Sequence, residues 1–244
     1  MYPILFSLGP VTVTSYFAFW GAGLVLFVLW SQRRATKLFG FPPHKSALVI
    51  AWIYCAAILG GFFGNIAERL LTHSELGAFT GGMSSAPAIL CAGLAGLYML
   101  HKTKLPIDIF AEATALPFAL LIAIGRVGCF LQGCCQGKSM APVEIMGVTF
   151  TRIPTELFES ATGWVMLLIL FLIEKTATVE ELRAGKRGYI FPLLLFVYSL
   201  HRIIFDSYRM REGIASYYAI LAIFFALFWI GYSIYIKRYS SLEK

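Results

Sequence analysis

Two arginines stand inside stretches that are otherwise apolar, and this placement could do chemistry. Arg126 lies in IGRVGCFLQGCCQGK (residues 124–138), and Arg202 lies in VYSLHRIIFDSYRMRE (residues 197–212). A guanidinium group binds phosphate through two parallel hydrogen bonds, so two of them brought together would make an anion site. An arginine within an apolar helix faces protein or water and not lipid. We therefore expect these arginines either to hold the phosphate of a lipid head group or to pair with acidic residues.

Acidic partners for the arginines come from RIPTELFES, residues 152–160. Pro154 is typical of the start of a helix, which places Glu156 in the first turn and Glu159 one turn further on. A carboxylate in the first turn is stabilised by the helix dipole, so capping alone can explain Glu156. Glu159 lies beyond the reach of that effect and is the better candidate for pairing or catalysis.

Two further stretches carry polar residues at helical spacing. Tyr198 or Ser199, with Arg202 and Asp206, would lie along one face of the helix that contains them. In GGFFGNIAERL, residues 60–70, a second group shares one helix face: Asn65, Glu68 and Arg69. That group predicts either a substrate contact or a salt bridge satisfied within the helix end.

Three cysteines follow Arg126 closely: Cys129, Cys134 and Cys135. Their C-x4-C-C spacing does not match a common zinc pattern, and no histidine lies close to them in the sequence, so we expect no metal ion and no cofactor. Adjacent cysteines form a disulfide with each other only under strain, which makes Cys129 the better partner for Cys134 or Cys135. A disulfide, simple packing and a reactive thiolate beside Arg126 stay open as alternatives.

The composition is that of a membrane protein. Of the 244 residues, 59% are hydrophobic and only 14% are charged, whereas soluble domains are nearer a quarter charged. The net charge of +7 is spread over short loops and is not concentrated in a basic helix or arm, so nucleic acid is not an expected partner.

Apolar stretches long enough to cross a bilayer recur along the whole chain. The sequence predicts an all-α integral membrane protein with one polytopic domain over residues 1–244, short outer-face loops and about seven transmembrane helices. The predicted spans are residues 14–32, 46–67, 84–101, 108–129, 156–174, 188–208 and 214–236.

Basic residues in the loops set the orientation of the spans, because cytoplasmic loops carry an excess of Lys and Arg. Thirteen of the 20 basic residues fall in alternate loops and the C-terminal tail. This bias predicts an N-terminus outside, a cytoplasmic C-terminus and a site that faces outside. The other seven basic residues are Arg69, Arg126, Lys138, Arg152, Arg202, Arg209 and Arg211. Most of them lie at span ends beside Glu, Asp, Asn or Tyr.

Several of these stretches together resemble one family, the prolipoprotein diacylglyceryl transferases. GRVGCFLQG resembles the family's Gly-Arg-x-Gly-Asn-Phe signature, and IPTELFES is similar to its His-Pro-x-Gln-Leu-Tyr-Glu stretch. YSLHRIIFDSYRMRE is similar to its Tyr-Gly-x-x-Arg-Phe-x-x-Glu-Phe-x-Arg stretch. TVTSYFAFWG is similar to the family's N-terminal segment, and GGMS (residues 81–84) matches the start of its Gly-Gly-Met-Ser-x-His-Gly-Gly stretch.

The resemblance implies an enzyme of the bacterial cytoplasmic (inner) membrane with its active site at the outer face. Members transfer the diacylglyceryl group of phosphatidylglycerol to the thiol of a lipobox cysteine in a prolipoprotein and release glycerol phosphate. The resemblance carries over Tyr16, Arg126, Gly137, Glu159, Tyr198 and Arg202, with Asp206 where the family has Glu.

From these assignments we expect one set of residues to act in catalysis: Arg126, Arg202, Glu159, Asp206 and Tyr198. We expect a second set to bind substrate: Tyr16, Asn65, Glu68, Arg69, Gly137, Cys129 and Cys134.

The chain also departs from the family pattern in ways that bear on the reaction. Ala86 stands where the family has His, Cys129 stands where the signature has Asn, and Cys134 replaces an acidic residue. The loop from Lys138 to Arg152 is short. These departures leave three activities open: the lipoprotein reaction, transfer of the lipid group to another acceptor, and lipid binding or transport without catalysis.

Overall fold

The computed structural model describes residues 3–9, 11–71, 83–145, 148–183, 188–209, 220 and 222–231. The helices are α1 (Ser15–Arg33), α2 (Pro43–Leu71), α3 (Ser85–Thr103), α4 (Ile107–Gln132), α5 (Thr155–Lys175), α6 (Val179–Arg183), α7 (Ile190–Asp206) and α8 (Ala222–Gly231). A π-helical turn, Arg34–Leu38, continues α1. Two antiparallel hairpins complete the elements: β1 (Ile4–Leu8) with β2 (Val11–Thr14), and β3 (Ser139–Ile145) with β4 (Val148–Arg152).

The helices confirm the mostly helical membrane architecture but not the predicted number of spans. Four described helical segments are long and apolar enough to cross a membrane: Ser15–Leu38, Pro43–Ala67, Ile107–Gln132 and Thr155–Lys175. The predicted third span is the helix α3, and the sixth is the shorter α7. Of the seventh, the structure describes Ile220 and the helix Ala222–Gly231. The two hairpins were not predicted.

The helix α4 lies at the centre of the protein. About two thirds of its apolar stretch (67%) is buried, whereas the other three candidate spans are 22%, 22% and 33% buried. It packs against α1 on one side and α5 on another, while α2 pairs with α3. Large apolar side chains on the outer helices are exposed, as expected for a surface that faces lipid: Leu29, Phe63, Leu94 and Phe228.

A buried ion pair fixes one end of this bundle. Arg34 donates from Nη1 to Glu174 Oε1 at 2.7 Å and from Nη2 to Glu174 Oε2 at 2.5 Å. Its Nε also donates to the carbonyl of Ala113 at 2.9 Å, so Arg34 joins the end of α1 to α4 and α5. Arg34 is one of the thirteen basic residues that were assigned from the sequence to loops and the C-terminal tail, whereas the structure buries it in this bidentate pair.

Close approach between α4 and α5 depends on Gly163. A Cβ atom at this position would lie 2.7 Å from the backbone N and 2.8 Å from the Cα of Ala123. These are backbone atoms of α4, so they cannot rotate away as the end of a side chain could. Small residues at such contacts are what allow membrane helices to pack tightly.

We expect Gly163→Ala to destabilise the protein by about 1–3 kcal/mol, because overpacking must separate α4 from α5. The matched control is Gly21→Ala in α1, where a Cβ would meet nothing within 4 Å. Alanine favours a helix over glycine by about 1 kcal/mol, so the control should be neutral or stabilising. The measurement is the thermal unfolding midpoint in detergent, and a Gly163→Ala protein as stable as the control would contradict this packing.

Candidate functional site

Three arginines surround one buried carboxylate at the end of the bundle opposite Arg34. Glu159, in the second turn of α5, is 1% exposed, and Arg126 in α4 and Arg202 in α7 are 6% and 7% exposed. Arg202 Nη1 donates to Glu159 Oε1 at 2.9 Å. Arg126 Nε contacts the other oxygen, Oε2, and Arg209 Nη2 contacts Oε1. The structure therefore brings together Arg126, Glu159 and Arg202, which is the pairing with an acid that the sequence left open as one of two alternatives.

Arg209 is a member of this cluster that the sequence analysis did not assign to the site. It lies just beyond α7, after a turn at residues 207–208, and its Nη2 contacts Glu159 Oε1. A backbone bridge between Gly137 and Arg209 holds this segment in place. From the sequence, Arg209 was treated only as one of the basic residues at a span end, because helical spacing does not reveal the turn that brings it to Glu159.

Gly137 lies in the loop after α4, where the chain meets the residues just before α5 and just after α7. Its N–H donates to the carbonyl of Ile153 at 3.0 Å, and the next N–H, of Lys138, donates to the carbonyl of Tyr208 at 2.7 Å. A Cβ at Gly137 would lie 2.6 Å from the Ile153 carbonyl oxygen. This close approach explains why glycine occupies the position. Its substrate-binding role stays a prediction.

Glu156 is buried without a partner, which capping does not explain. It is 1% exposed, and neither oxygen of its carboxyl group has a hydrogen-bond partner among the described residues. It lies within electrostatic reach of Cys135, Arg209 and Arg126. A buried polar group without a hydrogen bond is costly, so its retention points to a role in binding or proton transfer. The sequence analysis attributed this residue to the helix dipole alone.

Three thiols lie together beside the arginine cluster. The Sγ atoms of Cys129, Cys134 and Cys135 lie within 4.8 Å of one another, and all three are free thiols in the structure. Hydrogen bonds from Cys129 and Cys134 lower the pKa of the Cys135 thiol, and the positive charges of Arg126 and Arg209 act in the same direction. The structure thus places Cys129 and Cys134 at the site, together with Cys135.

An apolar cavity of about 430 Å³ opens beside Arg126. Its walls come mostly from aliphatic and aromatic side chains of α1, α2, α3, α4 and α7. Three of the polar groups that line it are residues predicted for the site: Tyr16, Arg126 and Tyr198. Arg126 therefore lines the cavity and also contacts Glu159. The arginine cluster thus lies at one end of the apolar cavity.

The other predicted residues are not placed with this cluster. Asn65 is half-buried on α2 and is not among the described residues that line the cavity. The side chains of Glu68, Arg69 and Asp206 lie outside the described part of the structure, so their roles stay predictions.

His201, on α7, packs against α5. Its Nδ1 lies 2.8 Å from the Thr162 hydroxyl, which in turn donates to the Phe158 carbonyl at 2.9 Å. Because that hydroxyl proton is already used, Nδ1 carries the ring proton and donates it to Thr162. The ring stacks on Phe205 with centroids 4.4 Å apart. His201 thus fixes α7 against α5.

We expect Glu159→Gln to destabilise the protein by about 3–5 kcal/mol, the cost of leaving buried cations without their counter-charge. Glu144→Gln, an exposed glutamate in β3, is the matched control and should leave stability unchanged. The measurement is again the thermal midpoint in detergent. Equal midpoints for the two variants would show that the bundle does not depend on the carboxylate.

Comparison with known proteins gives a consistent result. The family model for prolipoprotein diacylglyceryl transferase matches residues 3–235. A phosphatidylglycerol--prolipoprotein diacylglyceryl transferase of Rhizobium leguminosarum bv. trifolii is 27% identical over 235 residues, which cover 88% of this chain and 81% of that protein. Proteins of the same name from Clostridium tetani (25% over 224 residues, 86% of each chain) and Aeromonas salmonicida (28% over 229 residues, 86% of this chain and 78% of that protein) are also similar. The chain belongs to the prolipoprotein diacylglyceryl transferase family.

Proposed function

We propose that this protein transfers the diacylglyceryl group of phosphatidylglycerol to the thiol of a prolipoprotein cysteine at the outer face of the bacterial inner membrane. The observation that carries the proposal is the arginine cluster at the end of an apolar cavity. A phospholipid has the matching division, with an anionic phosphate next to apolar chains. Family membership supplies the transferase reaction.

The charges of the site favour an anionic head group. Three guanidinium groups, those of Arg126, Arg202 and Arg209, face two buried carboxyl groups, those of Glu159 and Glu156. This leaves an excess of positive charge among these side chains. A buried cation is stabilised when an anion binds beside it, so the phosphate of the lipid would relieve the imbalance.

The reaction exchanges one bond for another at the glyceryl carbon. The acceptor thiol loses its proton, its sulfur forms a bond to that carbon, and the carbon–oxygen bond to the phosphate breaks. Glycerol phosphate leaves with the bonding electrons. Arg126 and Arg202 stabilise the negative charge that grows on the departing phosphate, which is the kind of electrostatic assistance that contributes most to many enzymes.

Glu156 is the group that accepts the proton in this proposal. Glu159 is a poor base, because three arginines stabilise its ionised form. Glu156 has no such hydrogen-bonded partner and lies near Cys135 at the start of α5. It stands where the family has Gln, while Ala86 stands where the family has His. The carboxyl group of Glu156 therefore takes over the work of the missing imidazole.

The topology follows from the same arrangement. The arginine cluster lies at one end of the helices, at the start of α5 and the end of α4. The basic loops after α1, α3 and α5 lie at the other end. Cytoplasmic loops carry the excess of Lys and Arg, so the N-terminus and the site are outside and the C-terminus is cytoplasmic in a protein of seven spans.

A different acceptor is the second candidate. The segment from Lys138 to Arg152 forms only the short hairpin β3–β4, which offers little surface to a protein substrate. A smaller thiol or a lipid acceptor would need less contact surface than a protein substrate does.

We expect Arg126→Ala and Arg202→Ala to lower transfer by about 10²–10³-fold, the scale for one lost donor to a developing anion. Arg33→Ala, an exposed arginine at the last turn of α1, is the control. The assay follows radiolabelled phosphatidylglycerol and a lipobox peptide with purified protein. Arg126→Lys and Arg202→Lys keep a cation beside Glu159 and report whether folding alone explains the loss.

Labelled peptide that depends on both arginines would support the lipoprotein reaction. Arginine-dependent release of glycerol phosphate without labelled peptide would support the other acceptor. Lipid binding that needs both arginines but gives no turnover would contradict an enzyme.

We expect Glu156→Gln to lower kcat by about 10²–10⁴-fold while KM for the lipid changes little, because a general base acts in the transition state. The amide is nearly isosteric, so the thermal midpoint should hold. His201→Gln is the comparison, since His201 contacts Thr162 and not the thiols. A His201→Gln protein that loses kcat while Glu156→Gln keeps it would assign the proton to the imidazole instead.

A further inference from the structure

The three thiols beside Arg126 have the geometry of a metal site. A zinc–sulfur bond is about 2.3 Å, so sulfur atoms that share one ion lie about 4 Å apart. The Sγ atoms of Cys129, Cys134 and Cys135 already lie within 4.8 Å of one another. A movement of less than 1 Å by rotation about the side-chain bonds would bring them to bonding distance.

The backbone is folded so that these sulfur atoms converge. The helix α4 ends at Gly133, whose φ is +73°, and the N–H of Cys134 returns to the carbonyl of Cys129 at 3.2 Å. Cys135 adopts φ +66°, a left-handed conformation that is unfavourable for a residue with a Cβ. The Thr155 hydroxyl holds its carbonyl at 3.0 Å. In extended chain, neighbouring side chains point to opposite sides, so this conformation is what allows the adjacent thiols to meet.

The surroundings suit sulfur atoms that carry negative charge. Trp20 Nε1 donates a hydrogen bond to Cys129 Sγ at 3.3 Å, as outer groups do for metal ligands. Arg126 and Arg209 place positive charge beside the thiols. Three thiolates and one divalent ion carry a net charge of −1, which these cations offset.

We propose that Cys129, Cys134 and Cys135 bind one Zn²⁺ ion through three sulfur atoms and leave its fourth position open. Zinc prefers four ligands, and sites with three protein ligands keep one position for water or substrate. The open side is the face of Cys135, the exposed member of the cluster. Sulfur ligands select such borderline and soft ions over magnesium or calcium.

The open position gives the site a function that rests on the proposed transferase activity. The thiol of the acceptor binds there as a thiolate, and its proton passes to Glu156. The sulfur then attacks the glyceryl carbon, the carbon–oxygen bond breaks, and the phosphate leaves towards the arginines. The product is a neutral thioether, a weaker ligand than a thiolate, so it leaves the ion and reopens the position.

Metal binding is tested directly on the full-length protein. Protein purified in detergent under reducing conditions is loaded with Zn²⁺ or with Co²⁺, freed of excess metal and analysed for metal content. We expect one ion per chain and, with Co²⁺, sulfur-to-metal charge-transfer absorption. Cys129→Ser, Cys134→Ser and Cys135→Ser should each lose both signals. Cys55→Ser and Cys91→Ser, which lie on α2 and α3, should keep them.

Two results would overturn the metal site. One is a reduced wild-type protein that binds no ion or shows no charge-transfer absorption. The other is a disulfide among the three cysteines in protein purified without reductant, because a disulfide removes two of the ligands.

Transfer activity measured with and without zinc tests whether the ion takes part in the reaction. We expect removal of zinc by a chelator to abolish transfer, and one equivalent of Zn²⁺ to restore it. Full transfer by metal-free protein would overturn the role of the ion and leave the proposed transferase intact. Suppose that Zn²⁺ binds stoichiometrically to the three thiols but that neither the zinc-loaded nor the metal-free protein shows transfer. That result would support the metal site and reject both the proposed transferase and the role of the ion in binding the acceptor thiol.

Discussion

The contact on which the site depends is that of one carboxylate with three guanidinium groups. Glu159 contacts Arg126, Arg202 and Arg209, which come from α4, α7 and the segment beyond α7. Each arginine would be costly to bury alone, and none of them could be placed without the shared counter-ion. A single carboxylate cannot neutralise three cations, so the same contact that holds the helices together leaves charge for an anion. In the proposed function, both the stability of the bundle and the recognition of phosphate depend on Glu159.

The contact between Glu159 and Arg126 requires α4 and α5 to lie close together, and small residues between the two helices allow this. The side chain of Ser160 donates to the carbonyl of Ala123 at 2.8 Å, one turn from where Gly163 meets the same residue. Glu159 therefore projects from a part of α5 whose distance from α4 is fixed by small residues. At the opposite end, Arg34 and Glu174 make a second buried pair. The cavity extends from Arg126 at one end of the bundle to Leu100 and Phe110 nearer the other.

The sequence predicted the long apolar helices and the residues that could form an ion cluster, because both depend on local signals. Apolar length predicted α1, α2, α4 and α5. The placement of Arg126 and Arg202 within apolar stretches predicted that they would meet either a lipid phosphate or an acid, and did not decide between the two. Arg34 was misread, since a basic residue at a span end resembles a loop charge until the partner on a distant helix is known. Glu156 was misread for a related reason. A helix dipole explains an acidic first turn whether the carboxyl group is solvated or buried, and only the structure shows that it is buried.

The convergence of the thiols could not have been predicted, because it depends on the left-handed conformation of Cys135 and not on spacing. Because that conformation brings the thiols together, the cysteines, Glu156 and Ala86 can be explained as related departures from the family pattern. A protein that has Ala86 instead of an imidazole must ionise its acceptor thiol by other means. Glu156 can accept a proton, but a buried carboxyl group is a weak base towards a free thiol, whose pKa is about 8.5. Coordination to zinc would lower the pKa of that thiol enough for a carboxylate to suffice. In these two proposals the new acid and the three cysteines act together in place of the imidazole: zinc would lower the pKa of the acceptor thiol, and Glu156 would take its proton.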